Sequence, residues 1–346
     1  MPTSSASSGV DLSSAYYDEV VAPLLAERFP RMPHTAGRVG AGSDVLGLDD
    51  ATSRDHDWGL RLSLFVPQED VRAVDDALSE ELPALFHGLP TRFAFTGQTV
   101  DRHHVDVTTV AGFLDAHLGF DPRASLSVDQ WLSLSGQAVL EVVAGPVFAD
   151  DSGDFAAARA VLEWYPDDVW RYVLACDWAR LAQELPLMSR AGDVGDDRGS
   201  RIIAGRLAHV VMHLAFLLER RWPPYAKWFG TMFRQLSCSA EVGASVDRAL
   251  QADAWQDRQL ALGDAMRALA TVQNGLGLTD VQQAAIPFWD RPYVHPDPDI
   301  ERQLLAGIRD PKVRALPRGR GSVEQRTDNV DVLVDLVARR ALVREL

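Results

Sequence analysis

Three aspartates in the N-terminal part of the sequence could bind a metal ion together. Asp55 and Asp57 lie two residues apart at the start of the alternating segment WGLRLSLFV, so in a strand both side chains leave the same face. Neighbouring carboxylates repel each other, and such a pair is normally kept where a cation lies between them. Asp106 stands between Val105 and Val107 in a second alternating segment. If the two strands are neighbours, three carboxylates converge.

The chemistry expected of such a site is that of Mg²⁺, which binds through a few carboxylates, water and substrate phosphates. Two such ions can stabilise the attacking and leaving oxygens of a phosphoryl displacement. Gly42 and Ser43 precede the acids; a glycine lets the backbone approach a triphosphate, and a serine hydroxyl can donate to it. The alternative interpretation is a turn and a solvated loop. We assign Asp44, Asp49 and Asp50 to that loop.

The elements that must position these residues alternate between strand and helix. Residues 58–66 place apolar side chains at every second position, as does part of 102–110, and both are predicted strands. Between them, apolar residues from Val71 to Leu82 follow helical spacing. A first helix is predicted over residues 13–29 and a short strand over 35–41.

Long helical patterns replace the strands from about residue 155. Residues 144–154 have the glycine, proline and acid content of a domain boundary, and 188–201 read as a glycine-rich acidic loop that contributes Arg190 or Asp193 to a cleft or serves only as a linker. The predicted fold class is α+β, with an N-terminal mixed sheet flanked by helices and a C-terminal helical bundle. The predicted segments are a disordered lead over 1–12, a sheet domain over 13–150 and a helical domain over 151–346.

The overall composition excludes several classes of protein. The 346 residues carry a net charge of −15, which argues against an extended nucleic-acid interface. The apolar run at residues 208–218 is too short to cross a bilayer, and the N-terminus lacks the features of a secretory signal. Two isolated cysteines, Cys176 and Cys238, favour neither a disulfide framework nor a zinc site. We expect a cytoplasmic protein away from membranes, with homo-oligomerisation left open.

The order of these motifs resembles a known superfamily. Gly42-Ser43, then Asp55-x-Asp57 at the head of a strand, then Asp106 on a later strand is similar to the polymerase-β-type nucleotidyltransferases, and within them to the branch of kanamycin and other aminoglycoside nucleotidyltransferases. The segments GSDVLGLDDATSRDHDWG, LEWYPDDVWRY and RRWPPYAKW further resemble a largely uncharacterised bacterial family placed in that superfamily.

The resemblance implies a nucleotidyltransferase-type sheet that carries the metal site and a helical domain that closes over the substrate. Gly42 and Ser43 would hold the nucleotide phosphates, and Asp55, Asp57 and Asp106 would bind the metals. In related transferases a lysine of the helical domain commonly reaches the nucleotide, which makes Lys227 in PPYAKWFG a candidate. Its alternative is an ordinary surface lysine with an apolar stem.

Other polar residues carry weaker signals. His209 and His213 have the spacing of a zinc helix, but Val210 replaces the glutamate of that motif, so a packing role is favoured. The paired histidines 103 and 104 are interpreted as polar edge residues or as contacts to a ligand. The sequence does not single out a general base. The candidates are Asp106 itself and three acids near the domain junction: Glu141, Glu163 and Asp168.

The predicted function is Mg²⁺-dependent transfer of a nucleoside monophosphate, AMP from ATP, to a hydroxyl group with release of pyrophosphate. An acidic protein suits a small cationic acceptor such as an aminoglycoside. One alternative is a protein- or tRNA-modifying nucleotidyltransferase of toxin–antitoxin type. Another is a non-catalytic relative that binds nucleotide or a partner.

Overall fold

The chain folds into two compact units. The structure is a computed structural model that describes residues 8–50, 52 and 58–344. Unit 1 comprises residues 1–125 and 138–163, and unit 2 comprises 126–137 and 164–346. This division differs from the predicted boundary after residue 150, and it assigns a short segment around residue 130 to the helical unit. The α+β class itself is confirmed, with a mixed sheet in unit 1 and a helical unit 2.

Unit 1 is built on a five-stranded sheet in the order β5-β6-β2-β1-β7. Strands β2 and β6 run parallel, and the other neighbouring strands pair antiparallel. A separate hairpin pairs β3 with β4. The strands are β1 (Thr35–Gly37), β2 (Arg61–Phe65), β3 (Leu85–Phe86), β4 (Leu89–Pro90), β5 (Arg92–Phe93), β6 (Arg102–Thr108) and β7 (Val147–Asp150).

The predicted alternation in β2 and β6 is confirmed by burial. Leu62, Leu64 and Val105 are almost completely buried on one face of the sheet, where they join the main core of unit 1. The opposite face carries Ser63 and Phe65 of β2. Both strands therefore form where the sequence alternates, although β2 and β1 are shorter than predicted.

The helices of unit 1 cover both faces of the sheet. They are α1 (Gly9–Tyr16), a π-helical turn (Tyr17–Val21), α2 (Ala22–Arg28), α3 (Val71–Glu81), α4 (Val110–Leu118), α6 (Gly136–Val143), whose first residues belong to unit 2, and α7 (Asp154–Val161). Side chains of α1, α2 and α3 pack on the Leu62 face. On the other face, Phe65 contacts Phe113 of α4 and Phe155 of α7.

Two predictions at the edges of unit 1 are wrong. The disordered lead predicted over 1–12 is wrong for residues 9–12, which belong to α1, a helix that Ser8 caps by accepting from the backbone N–H of Asp11. Ser13, expected near the start of the helix, is instead buried inside it. The predicted linker 144–154 contains β7, which pairs with β1. An edge strand this short leaves little periodic signal in a sequence.

Unit 2 is a set of helices with one small hairpin. Its helices are α5 (Val128–Ser133), α8 (Asp167–Asp193), α9 (Asp197–Leu218), α10 (Ala226–Phe233), α11 (Ser239–Gln251), α12 (Trp255–Gly275), α13 (Pro298–Ala306), α14 (Pro311–Arg314), a 3₁₀ turn (Val323–Gln325), α15 (Val330–Val334) and α16 (Leu336–Arg344). Strands β8 (Ala285–Pro287) and β9 (Val294–Pro296) form the hairpin. The loop predicted over 188–201 is wrong, because α8 and α9 extend into it from both sides.

Helix α9 is long and apolar enough to cross a membrane by length and composition, with a mean hydropathy of 1.5 over its most apolar window. In this protein 56% of that window is buried inside the structure. Such burial is typical of a core helix. The sequence argument from residues 208–218 considered only part of this helix, which extends from Asp197 to Leu218.

The sheet core should be sensitive to truncation at Leu64, which is fully buried. We expect Leu64→Ala to lower the free energy of unfolding by about 2–5 kcal/mol through lost burial and a residual cavity. The matched control is Leu85→Ala, because Leu85 is 61% exposed and its truncation should change the value by less than about 0.5 kcal/mol. Urea unfolding measures both, and equal effects would contradict this assignment of the core.

Candidate functional site

Gly42 and Ser43 lie in the loop after β1, between the two residues of a buried ion pair. Arg38 donates from Nε to Asp44 Oδ2 at 2.6 Å and from Nη2 to Asp44 Oδ1 at 2.8 Å, and both residues are buried. The interpretation of Asp44 as a solvated loop residue is therefore wrong. Ser43 begins the following turn, in which its carbonyl accepts from the N–H of Leu48 at 2.8 Å.

Gly42 is required by this packing. Its φ is +149°, and a Cβ at this position would lie 2.2 Å from Asp44 Oδ1 and 2.4 Å from Arg38 Nη2. A side chain could fit only if the ion pair moved. The glycine thus has a structural reason in addition to the predicted approach to phosphate.

Asp106 lies on the same sheet face as Ser63, with which it is directly paired in register across β2 and β6. The Asp106 side chain is exposed. The Ser63 hydroxyl donates to the carbonyl of Val39 at 3.2 Å, three residues before Gly42. Within unit 1, the loop that carries Gly42 and Ser43 is therefore bound to the sheet at Ser63, the residue of β2 that is paired with Asp106.

The two other ligands predicted from sequence, Asp55 and Asp57, lie outside the described residues. Within residues 8–50, 52 and 58–344, no group of three His, Cys, Asp or Glu side chains could hold a metal ion. Asp106 is therefore the one predicted metal ligand whose placement can be given. Its position is open on a polar face, as a carboxylate ligand requires.

The paired histidines beside Asp106 are not exposed edge residues, contrary to one of the two interpretations. His104 is 1% exposed, and its Nε2–H donates to the carbonyl of Phe93 at 2.8 Å. Burial lowers the pKa of His104; the Phe93 contact opposes this shift, Arg102 and Arg61 add to it, and Asp106 raises the pKa. His103 is also buried, on the opposite face, with Nε2 3.1 Å from Ser79 Oγ.

Lys227 lies in unit 2, near the start of α10. The lysine is exposed, and its Nζ lies 4.8 Å from the centroid of the Trp228 ring. Tyr225 is the residue that precedes the helix as its N-cap. The structure therefore gives Lys227 a cation–π contact, and its predicted role toward a nucleotide stays a prediction.

The candidates for a general base have different surroundings. Glu141 Oε2 lies 2.8 Å from His117 Nδ1, and Glu163 is exposed. Asp168 accepts from two backbone N–H groups, those of Arg309 and Asp310, at 3.0 and 2.6 Å. Asp168 thus holds a loop of unit 2, which is a structural role.

A buried charged cluster in unit 2 was missed by the sequence analysis. His213 Nδ1 donates to Asp177 Oδ2 at 2.7 Å, and His213 Nε2 lies 3.7 Å from Glu324 Oε2. Gln325 Nε2 donates to Asp177 Oδ1 at 2.7 Å. Despite burial, which alone would lower it, the pKa of His213 is raised to about 10 by the two carboxylates. The imidazolium therefore connects α8, α9 and the 3₁₀ turn.

The packing role favoured for His209 and His213 over a zinc site takes a different form at each residue. The ring of His209 stacks on Phe229 at 4.6 Å between centroids, while His213 forms the ion pair. A signal for the pair was present in the sequence, because Asp177 interrupts the apolar stretch VLACDWA of α8. An acid in such a stretch indicates a buried partner. Arg38 left a weaker signal, as a lone charge among small residues.

Residues 131–229 match the family model of DUF4037, a domain of unknown function. A comparison with curated proteins finds no match. The chain is similar to the solved structure of a nucleotidyltransferase-like protein from Exiguobacterium sibiricum 255-15, with 14% identity over 75% of this chain and 74% of that chain and a TM-score of 0.35. A TM-score this low does not establish a shared fold, and the α+β class rests on the elements described above.

The Gly42 packing predicts a specific loss of stability. Gly42→Ala should cost clearly more than Gly47→Ala, because Gly47 also has a positive φ of +67° but has open space where a Cβ would lie. The control should cost about 1–2 kcal/mol for the left-handed backbone alone. Gly42→Ala adds the larger backbone strain of φ +149° and the disruption of the Arg38–Asp44 pair. Chemical unfolding measures the difference. Equal losses would show that the ion pair does not constrain residue 42.

The His213 cluster predicts how stability depends on pH. Because the folded pKa, about 10, exceeds the ordinary 6.5, the pair stabilises the fold fully below pH 6.5 and loses this contribution as pH rises toward 10. His213→Gln should lower the free energy of unfolding by about 3 kcal/mol or more at pH 6 and flatten its decline between pH 6.5 and 10. The control is His295→Gln on β9. A decline of wild-type steepness in His213→Gln would contradict the account.

Proposed function

We propose that this protein is a Mg²⁺-dependent nucleotidyltransferase that moves AMP from ATP to a hydroxyl group of a small acceptor. The observation that supports the proposal is that Ser63, paired in register with Asp106 on one sheet face, holds the loop of Gly42 and Ser43 through the Val39 carbonyl. Gly42, Ser43 and Asp106 are the described parts of the sequence signature, and they come from segments far apart in the chain. Asp55 and Asp57 complete the proposed site on the evidence of the sequence.

The proposed reaction is an in-line displacement at the α-phosphorus of ATP. The acceptor oxygen forms a bond to the α-phosphorus, and the bond from that phosphorus to the oxygen bridging to the β-phosphate breaks. Pyrophosphate leaves with the electron pair, and the hydroxyl proton passes to a nearby carboxylate. Mg²⁺, held by Asp55, Asp57 and Asp106, would neutralise the phosphate charge. The backbone around Gly42 and Ser43 would orient the phosphates, and Lys227 is proposed to bind the nucleotide.

The carboxylate of Asp106 is a suitable ligand for a hard cation. Its carboxylate is exposed, and the described residues supply no hydrogen bond or ion pair that occupies it. Oxygen ligands with room for water and phosphate are what Mg²⁺ requires. In contrast, Asp177 and Glu324 in unit 2 are already engaged by His213, Gln325 and a backbone N–H, so they are poor candidates for the metal.

The acceptor is proposed to be a cationic small molecule, for which an aminoglycoside is the test compound. The support is the net charge of −15 together with acids around Asp106. A groove of about 480 Å³ runs along β6 and is lined by Asp75, Asp101 and Asp106 as well as by Arg92 and Arg102. Carboxylates in such a groove attract ammonium groups. Protein or tRNA acceptors are the alternatives within the same chemistry.

A non-catalytic nucleotide-binding relative is the second candidate. One observation favours it, namely that the conformation at Gly42 is already explained by the Arg38–Asp44 pair. A glycine kept for packing does not by itself indicate phosphate binding. The two candidates differ in whether pyrophosphate is released.

The test is transfer of label from [α-³²P]ATP in the presence of Mg²⁺ to a panel of aminoglycosides, with proteins and tRNA as further acceptors and pyrophosphate release measured in parallel. We expect label on an aminoglycoside, and we expect Asp106→Asn to reduce the rate by about 100-fold or more, since metal neutralisation contributes several kcal/mol. The matched control is Asp115→Asn, an exposed acid on α4, which should retain the wild-type rate.

Each of the other outcomes selects an alternative. Label on protein or tRNA alone would replace the proposed acceptor. ATP binding that needs no metal, ignores Asp106→Asn and yields no pyrophosphate would support the non-catalytic candidate and contradict the proposal.

A further inference from the structure

A column of stacked side chains stands on the sheet face that carries Asp106. The guanidinium carbon of Arg61 lies 5.3 Å from the centroid of the Phe95 ring. Phe95 stacks in turn on the His104 ring, with centroids 3.7 Å apart and an angle of 20° between the planes. Phe93 contacts the same histidine at 4.2 Å. The column thus ends in a cation.

The register of the sheet places this cation next to Asp106. Arg61 of β2 is paired with His104 of β6, and the next pair on the same face is Ser63 with Asp106. Residues two apart in a strand are separated by about 6–7 Å. Arg61 and Asp106 are therefore close enough for one group of a substrate to lie between their side chains. The charges of Arg61, Arg102 and Asp106 all act on His104, which is consistent with this proximity.

The Arg61 side chain is seated by its surroundings. Its backbone carbonyl accepts from the buried hydroxyl of Ser13 in α1, and its strand is paired on both sides. The side chain is half-buried against the Phe95 ring. The other side of that ring stacks on His104. A guanidinium held in this way loses less conformational freedom when it binds a phosphate than a free surface arginine does.

Positive charge is present on this face although the protein as a whole is acidic. The chain carries a net charge of −15, yet Arg61 and Arg102 both lie on this face of β2 and β6, around His104. Two arginines next to a carboxylate form a surface that suits an anion with a bound metal cation. A polyphosphate complexed with Mg²⁺ has this character.

We propose that Arg61 binds the β- and γ-phosphates of the nucleotide and sets the preference of the protein for triphosphates over monophosphates. This inference rests on the proposed function and names the residue that recognises the part of the substrate that leaves. The planar guanidinium donates paired hydrogen bonds to phosphate oxygens. It also stabilises the negative charge that develops on pyrophosphate as the bond to the α-phosphorus breaks.

The experiment is calorimetric titration of the full chain with ATP, ADP and AMP in the presence of Mg²⁺. Wild-type protein should bind ATP at least about tenfold more tightly than AMP. Arg61→Gln should weaken ATP binding by about tenfold or more and leave AMP binding within about twofold. The matched control is Arg72→Gln, because Arg72 on α3 is 94% exposed; it should leave the ratio of the two affinities unchanged.

A second variant covers the case in which Arg61→Gln fails to fold, as circular dichroism would show. Phe95→Leu retains the charge of Arg61 but removes the ring that seats it, and should weaken ATP binding severalfold with AMP binding unchanged. An ATP-to-AMP affinity ratio that both folded variants leave unaltered would overturn the inference, as would equal weakening of ATP and AMP. Wild-type protein that binds no nucleotide would contradict the proposed function itself, and with it this inference.

Discussion

The parallel pairing of β2 with β6 is the constraint on which the rest of unit 1 depends. It sets Leu62 beside Val105 on the core face and Ser63 beside Asp106 on the opposite face. A shift of one residue in either strand would send its apolar side chains to the open face, so the buried leucines fix the register. The same register brings Arg61 next to His104. The positions of a carboxylate and a cation on the polar face are thus decided by the packing of aliphatic residues on the other.

The second structural determinant is the buried Arg38–Asp44 pair. Breaking such a pair by removing one partner costs about 3–5 kcal/mol, because a charge is left buried without compensation. The pair shapes the loop after β1, and Gly42 is the residue that the loop conformation requires. Ser63 then attaches this loop to β2 through Val39. A phosphate-binding role for the loop would therefore use a backbone that is already rigid, which is a favourable arrangement for binding.

Much of the fold could be predicted because its strands and helices are amphipathic over several residues. The alternation in β2 and β6 and the spacing from Val71 to Leu82 each produced an element of the predicted type. Short edge strands such as β7 lack such a period, and they acquire their structure from the neighbour with which they pair. The partners of buried charges were the other failure. Asp177 stands out as an acid in an apolar stretch, but the sequence does not identify His213 as its partner. Asp44 was assigned to a solvated loop although it pairs with Arg38. Of the predicted site, Asp106 has the exposed position expected of a ligand, whereas Asp55 and Asp57 remain predictions.

The proposed site can be tested by a crystal structure of the full chain with Mg²⁺ and a non-hydrolysable ATP analogue. We expect metal density within about 2.0–2.1 Å of carboxylate oxygens of Asp55, Asp57 and Asp106. We also expect the triphosphate to lie between Ser43 and the Asp106 face of β6. A nucleotide bound elsewhere, or one bound at this face with Asp106 directed into solvent and no metal beside it, would contradict the proposed site.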